Sequence, residues 1–172
     1  MYFGSRFEGD KHAFLQSIEA ELTARGFRVA AKQWNKPWGG FFVIDETQAL
    51  AFQEHFFGEV TLSADEQRQK LSPKILVVEA GKRLSWQYHF RRAEIWKLVG
   101  GEGALVRSLT DAETPVQPMV PGVTVRMEKA ERHRLMGAPG GWGIVAEIWI
   151  HTDPQHPSDE DDIVRLQDDF GR

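Results

Sequence analysis

Two hydrophobic rhythms divide the chain. Between residues 11 and 24, Phe14, Leu15, Ile18 and Leu22 recur at three- and four-residue spacing, which predicts an amphipathic helix. Gly26 is placed to stop it. Residues 27–31 read as a strand, 37–40 as a turn and 41–44 as a second strand. Asp45 or Thr47 can cap a helix over 47–57, with Gly58 at its end. From residue 73 the texture changes. Short β-rich runs at 75–78, 84–89, 95–99, 104–109, 123–127, 133–136 and 144–150 alternate with turns rich in Gly, Pro and Asp. That spacing predicts an all-β sandwich or barrel. Residues 151–158 form a polar loop that carries the C-terminus back across it. The expected organisation is an N-terminal helix and strand extension over 1–60, packed on a barrel over 61–172. No internal repeat or low-complexity tract interrupts either part.

Composition narrows the function classes. A length of 172 residues suits one structural domain, and a hydrophobic fraction of 41% suits a real core. Twenty-one basic and 25 acidic residues nearly balance, for a net charge of −4. That balance gives no basic stripe for nucleic acid and no polybasic patch for a membrane. Cysteine is absent, so there is no disulfide framework and no thiolate metal site. A cytoplasmic location is the expectation. The first six residues lack a basic segment followed by an apolar one. No apolar run approaches the ~18 residues of a membrane span.

The chemistry concentrates in Gly81-Lys82-Arg83-Leu84-Ser85-Trp86-Gln87-Tyr88-His89, followed by Glu94 and later by His133. Gln87 and His89 are two apart, so on a strand they face one side. Four residues (Phe90 to Ala93) then separate His89 from Glu94, the length of a tight hairpin connection. His133 would close the site from a more distant strand. An amide oxygen, two imidazoles and a carboxylate suit one divalent transition metal, with Zn first and Mn, Fe, Co or Ni as alternatives. His12, His55, His151 and His156 lie outside such spacing and read as structural or exposed.

Glycine, five residues, His-x-His, four residues, Glu is the first motif of the cupin superfamily, and this segment resembles it with Gln87 in the first His place. The Gln-x-His form resembles mannose-6-phosphate isomerases. So does the C-terminus, Glu160-Asp161-Asp162-Ile163-Val164-Arg165-Leu166-Gln167-Asp168-Asp169-Phe170-Gly171-Arg172, which is similar to the terminal motif of type II phosphomannose isomerase domains. Arg92-Ala93-Glu94 with Trp96, and Lys36-Pro37-Trp38-Gly39, fit the same family. The resemblance covers residues 36–172. It implies a mainly β fold, a double-stranded β-helix (the cupin jelly roll) with an N-terminal α/β extension. It implies Gln87, His89, Glu94 and His133 as metal ligands. The segment before His133 departs from the pattern, with Glu128 and Ala130 where Pro and Gly are usual. Phe90, Arg91 and Ile95 replace residues that are often His, at the pocket mouth.

Other residues acquire roles from parity and resemblance. Ser85 shares strand parity with Gln87 and His89 and should point inward as a substrate contact. Glu147 lies among apolar strand residues, where an inward carboxyl is costly unless paired or functional. With Ile148 it resembles the Glu-Ile segment that precedes a catalytic Arg in type I phosphomannose isomerases, with Arg165 as the matching Arg; Glu147 is the candidate base. The plain alternative is a salt bridge between the two. Lys74 resembles a pocket lysine, its alternative being a solvated strand-edge residue. Lys74, Arg92 or Arg172 could meet a phosphate. The resemblance implies a metal-dependent aldose–ketose isomerase of phosphorylated sugars. Isomerisation of a heptose phosphate or free pentose, and a non-catalytic sugar-binding cupin, are the alternatives. Strands preceding the barrel need a partner edge, so a homodimer is expected.

Overall fold

The structure is a computed structural model that describes residues 2–4, 7 and 9–171. Helix α1 (Lys11–Ala24) is capped by Asp10, whose carboxylate accepts from the His12 and Ala13 amides. It ends as the sequence predicts. Gly26 takes a φ of +84°, and the Phe27 amide closes back on the Leu22 carbonyl. Strands β1 (Val29–Lys36) and β2 (Gly39–Ile44) form a hairpin around Pro37 and Trp38. A 3₁₀ turn (Glu46–Gln48) leads into α2 (Ala49–Phe57). Helix α3 (Ala64–Arg68), which hydrophobic spacing does not predict, is a single turn held by a Ser63–Glu66 capping box.

Then come β3 (Leu71–Val78), β4 (Trp86–Tyr88), β5 (Arg92–Gly101) and β6 (Gly103–Ser108). The last strands are β7 (Gln117–Pro118), β8 (Thr124–Met127), β9 (Arg132–Gly137), β10 (Gly143–His151) and β11 (Val164–Gln167). They form two antiparallel sheets. One runs β1-β2-β3-β10-β5-β8, the other β11-β4-β9-β6-β7. The sheets face each other as a β jelly roll, the fold expected. The N-terminal strands find their partner edge inside the chain, because β2 pairs with β3.

Strand alternation sorts two cores. From β5, Ala93, Ile95 and Val99 face outward, joined by Ile144, Ala146, Ile148 and Ile150 of β10. Helices α1 and α2 cover that face with Leu15, Ile18, Leu22, Phe52, Phe56 and Phe57. The opposite parity (Trp96, Leu98, Val145, Leu76, Val78 and Leu135) fills the barrel. Strands that are buried on both faces read as continuous apolar runs rather than alternations, and β3 and β10 do so.

One expectation is corrected here. Strands β4 and β5 are not a hairpin; they lie in different sheets. The Phe90–Arg91 connection is a corner, and its two amides donate to the Asp162 carboxylate at 3.0 Å each. The corner still brings Glu94 to His89, across the barrel rather than along a ladder.

Ala130 is the one described non-glycine residue with a positive φ, +65°. It stands where the motif that this segment resembles has Gly, and its left-handed backbone is one that glycine adopts without strain. A left-handed L-residue costs about 1–2 kcal/mol, and glycine gives back part of that as chain entropy. Ala130→Gly is therefore expected to stabilise the protein by roughly 0.5–1 kcal/mol in denaturant melts. An unchanged or lowered midpoint would show that the turn is not strained.

Candidate metal centre

Three strands bring the ligands together. Gln87 on β4 is the register partner of His133 on β9. His89 follows β4 at the corner, and Glu94 enters from β5 in the other sheet. His89, Glu94 and His133 are each about 2% exposed. One ligand atom from each lies within 4.8 Å of the others. His89 Nε2 is 3.3 Å from Glu94 Oε1, and His133 Nε2 is 3.4 Å from Glu94 Oε2.

Backbone carbonyls fix the imidazole tautomers. His89 Nδ1 lies 2.6 Å from the Asp162 carbonyl, and His133 Nδ1 lies 2.9 Å from that of Glu131. Each Nδ1 therefore carries the proton and donates it, leaving Nε2 as a bare lone pair. Burial lowers the His89 pKa to about 3, so the ring is neutral. Two imidazole lone pairs thus face one carboxylate. Glu94 Oε2 and His133 Nε2 have no hydrogen-bond partner at all. Buried acceptors converging without a proton between them call for a cation. The donor set fits a divalent metal ion.

Part of the positive charge is already present. Arg92 Nε donates to Glu94 Oε1 at 2.7 Å, and its Nη2 lies 3.1 Å from His89 Nε2. The guanidinium rests 3.5 Å from the centre of the Trp149 ring and also donates to Ser158 Oγ and the Asp159 carbonyl. Arg92 lines the cavity, yet the protein's own groups engage its donors. Its Arg-x-Glu spacing on β5 carried that signal, since residues two apart share a strand face. Against its own desolvation, the Glu94 carboxyl is held well below the usual range, with the Arg92 guanidinium beside it favouring the ionised form.

Gln87 reaches the triad with its amide 3.4 Å from His89 Nε2, while its Oε1 accepts from Ser85 Oγ at 2.5 Å. Turning the terminal amide by half a rotation would place the oxygen toward His89. Its NH₂ would then donate to Ser85 Oγ, which can equally accept. Ser85 thus points inward beside Gln87, as parity requires.

Of the triad, Glu94 reaches a cavity with about 620 Å³ of space, counted to its solvent mouth. Lys74, Ser85, Gln87, Arg92, Glu94, Glu147 and Arg165 all line it. Glu147, on β10, is 4% exposed and accepts from Trp96 Nε1 at 2.8 Å. Desolvation, then the negative charge of Glu94, push its pKa up to about 7. It does not salt-bridge Arg165. Its register partner on β3 is Lys74, which is buried rather than a solvated edge residue. Arg165 on β11 is the register partner of Gln87. Arg172 lies outside the described residues. Sequence reasoning missed the anchoring role of Asp162, which ties the corner and both nearby arginines. It also missed Glu160, whose carboxylate meets Lys74 at 2.5 Å.

No family model and no curated protein matches the sequence. Solved structures do share its shape. Vicilin from Corylus avellana (hazelnut) superposes with a TM-score of 0.54 at 12% identity, over 80% of this chain and 34% of that one. Oxalate decarboxylase from Bacillus subtilis gives 0.53 at 14% identity, over 79% of this chain and 30% of that one. The chain spans about a third of the length of these proteins. At such identities the likeness establishes the fold, the β jelly roll of the cupins. No helix among the described residues is long and apolar enough to cross a membrane.

Two measurements check the site. Purified protein is expected to carry about one divalent transition ion per chain, and His89→Ala to lose most of it, because one missing ligand weakens the whole set. Stoichiometric metal retained by a His89→Ala, His133→Ala double variant would dispose of the site. The second concerns Glu147 in metal-free protein. Its folded pKa of about 7 exceeds the ordinary 4.5, so the stability that its bound proton confers is full below about 4.5 and lost as pH rises through 7. Glu147→Gln should therefore match wild type near pH 4 and gain roughly 2–3 kcal/mol near pH 8.5. A pH-independent difference in thermal melts would refute the buried, neutral carboxyl.

Proposed function

We infer that this chain is a metal-dependent aldose–ketose isomerase of phosphorylated sugars, most like mannose-6-phosphate isomerase. One observation carries the reading: Glu147, a carboxyl with a pKa of about 7, lines the same cavity as the Gln87 and Glu94 side chains of the candidate metal centre. Interconverting an aldose and a ketose moves a proton between adjacent carbons. A carboxyl poised near neutrality can take that proton and return it one carbon along. The Gln-x-His motif and the terminal motif through Arg165 support the choice of a sugar phosphate.

In this reading each residue has a distinct task. His89, Glu94 and His133, joined by Gln87, hold the metal, which when bound supplies Lewis acidity toward the sugar oxygens. Glu147 is the proton-transfer base. Trp96 fixes its carboxylate through one oxygen, leaving the other free to meet substrate. Lys74, opposite Glu147 in the strand register, favours the ionised base electrostatically. Arg165 orients the sugar with a planar guanidinium at the cavity wall. Ser85 holds the Gln87 amide. The dry barrel floor of Leu76, Trp96 and Trp149 excludes water from the reacting carbons.

The test is a coupled isomerase assay across hexose, pentose and heptose phosphates, run after metal analysis. Glu147→Gln is expected to keep fold and metal and to cut turnover roughly 100-fold or more, with KM little changed. Arg165→Lys should damage both KM and kcat, since an ammonium cannot reproduce the guanidinium fork. Wild-type turnover in the Gln variant would place the base elsewhere. If metal-loaded wild type binds sugar phosphates and isomerises none, the chain is a sugar-binding cupin instead.

A further inference from the structure

Besides Arg92, the cavity holds three cations, one of which, Lys36, has no part in the chemistry above. Lys36, Lys74 and Arg165 all line the cavity. They come from the end of β1, from β3 and from β11. Among the described residues no carboxylate pairs with Lys36 or Arg165. Lys74 does have one, and the pair is lopsided. The Lys74 side chain is 6% exposed, whereas that of its partner Glu160 is 65% exposed. The lysine is fixed by its surroundings, with its ammonium 3.3 Å from the centre of the Trp149 ring and 5.2 Å from that of Phe41. Glu160 sits in the turn before β11, and its carboxylate is anchored by nothing else among the described residues.

These facts assign different mobilities to the two partners. A buried ammonium needs an anion beside it, and leaving it without one is costly. A largely solvated carboxylate loses little by returning to water. The pair is therefore a position that another anion can take, with Trp149 holding the ammonium in place throughout.

We propose that Lys74, with Lys36 and Arg165, forms an oxyanion-binding site at the cavity mouth, and that Glu160 occupies and closes it until a phosphate-like group displaces it. The proposal deepens the sugar-phosphate reading and rests on it for the identity of the anion. Three cations around one opening suit a doubly charged group better than a carboxylate. Glu160 then acts as a selectivity device. A neutral sugar cannot release it, so only a ligand that brings its own anion opens the mouth.

The experiment measures binding by calorimetry, with inorganic phosphate, mannose 6-phosphate and mannose as probes. Glu160→Gln keeps the shape and removes the charge at an exposed position, so folding is not at issue. It is expected to tighten inorganic phosphate by roughly tenfold, the scale of one displaced charge-assisted contact. Lys36→Ala should weaken phosphate by a similar factor. Glu54→Gln, an exposed charge removal on α2, should change nothing. Mannose binding should be the same in wild type and Glu160→Gln. Phosphate affinity unchanged in both Glu160→Gln and Lys36→Ala would overturn the site, and an equal gain from Glu54→Gln would reduce the effect to net charge and overturn it too. The isomerase reading fails separately. Phosphate tightened by Glu160→Gln without turnover of any sugar phosphate leaves the anion site standing and removes the isomerase. Turnover with no response to Glu160→Gln does the reverse.

Discussion

Three acceptor atoms aimed at one another organise this protein. His89 Nε2, His133 Nε2 and a Glu94 oxygen meet inside the barrel, where Arg92 reaches His89 Nε2 but His133 Nε2 and Glu94 Oε2 have no donor. Lone pairs that converge in a dry place repel unless a cation lies among them. Nothing in the packing requires that arrangement. A barrel of this size could fill its floor with leucine and gain stability. The tautomers make the arrangement deliberate, since two backbone carbonyls, Asp162 and Glu131, hold both Nδ1 protons away from the centre. Arg92 supplies one positive charge from the side, against one carboxylate oxygen, and leaves the other oxygen bare.

The jelly roll makes that convergence possible by putting the ligands in opposing sheets. Glu94 comes from the sheet that carries the helices; His133 and the Gln87–His89 segment come from the sheet that faces it. A single sheet could present Gln87 and His133 as neighbours but could not surround an ion. The corner between β4 and β5 is therefore the structural key, and it is secured by a residue far along the chain. Asp162 accepts both corner amides, takes the Ser158 hydroxyl, and gives its own carbonyl to His89. The C-terminal segment thus assembles the site as well as covering it. Hydrogen bonding holds the Asp162 carboxyl below its ordinary pKa, which keeps the anchor charged in any ordinary buffer.

Much of this was legible in the sequence, for physical reasons. Helix α1 announced itself because a surface helix needs one apolar stripe, and Gly26 because its turn needs a positive φ. The convergence of His89, Glu94 and His133 was legible because Glu94 and His133 follow His89 at motif spacing, and strand parity set Gln87 beside His89. What parity could not supply was the sheet to which each strand belongs. A four-residue gap reads equally as a hairpin and as a corner, and long-range pairing decides between them. Strands β7 and β11 were illegible for a related reason. They are two and four residues long with exposed patterns, so no buried face marks them. Helix α3 buries nothing either and exists by its capping box. Arg92 is the instructive miss. Its parity with Glu94 was available, yet an arginine in a sugar-phosphate motif suggests a phosphate before it suggests a carboxylate two residues away.

The two buried carboxyls show how one cavity can hold opposite chemistries. Glu94 and Glu147 lie on neighbouring strands, and Glu147 pairs in register with Trp96, two residues beyond Glu94. Both are almost wholly buried, so desolvation pushes both toward the neutral form. The neighbours decide the outcome. Against burial, the Arg92 guanidinium that donates to Glu94 favours its ionised form. At Glu147 the cations Lys74 and Arg92 and the Trp96 hydrogen bond recover only part of the cost, and the charge of Glu94 adds to it. The first carboxyl is thereby suited to hold a cation, the second to exchange a proton near neutral pH. The first makes the second more extreme, since an ionised Glu94 is part of what keeps Glu147 protonated. A cation bound at Glu94 would offset that repulsion and lower the Glu147 pKa, so loading the site would itself favour the ionised form of Glu147.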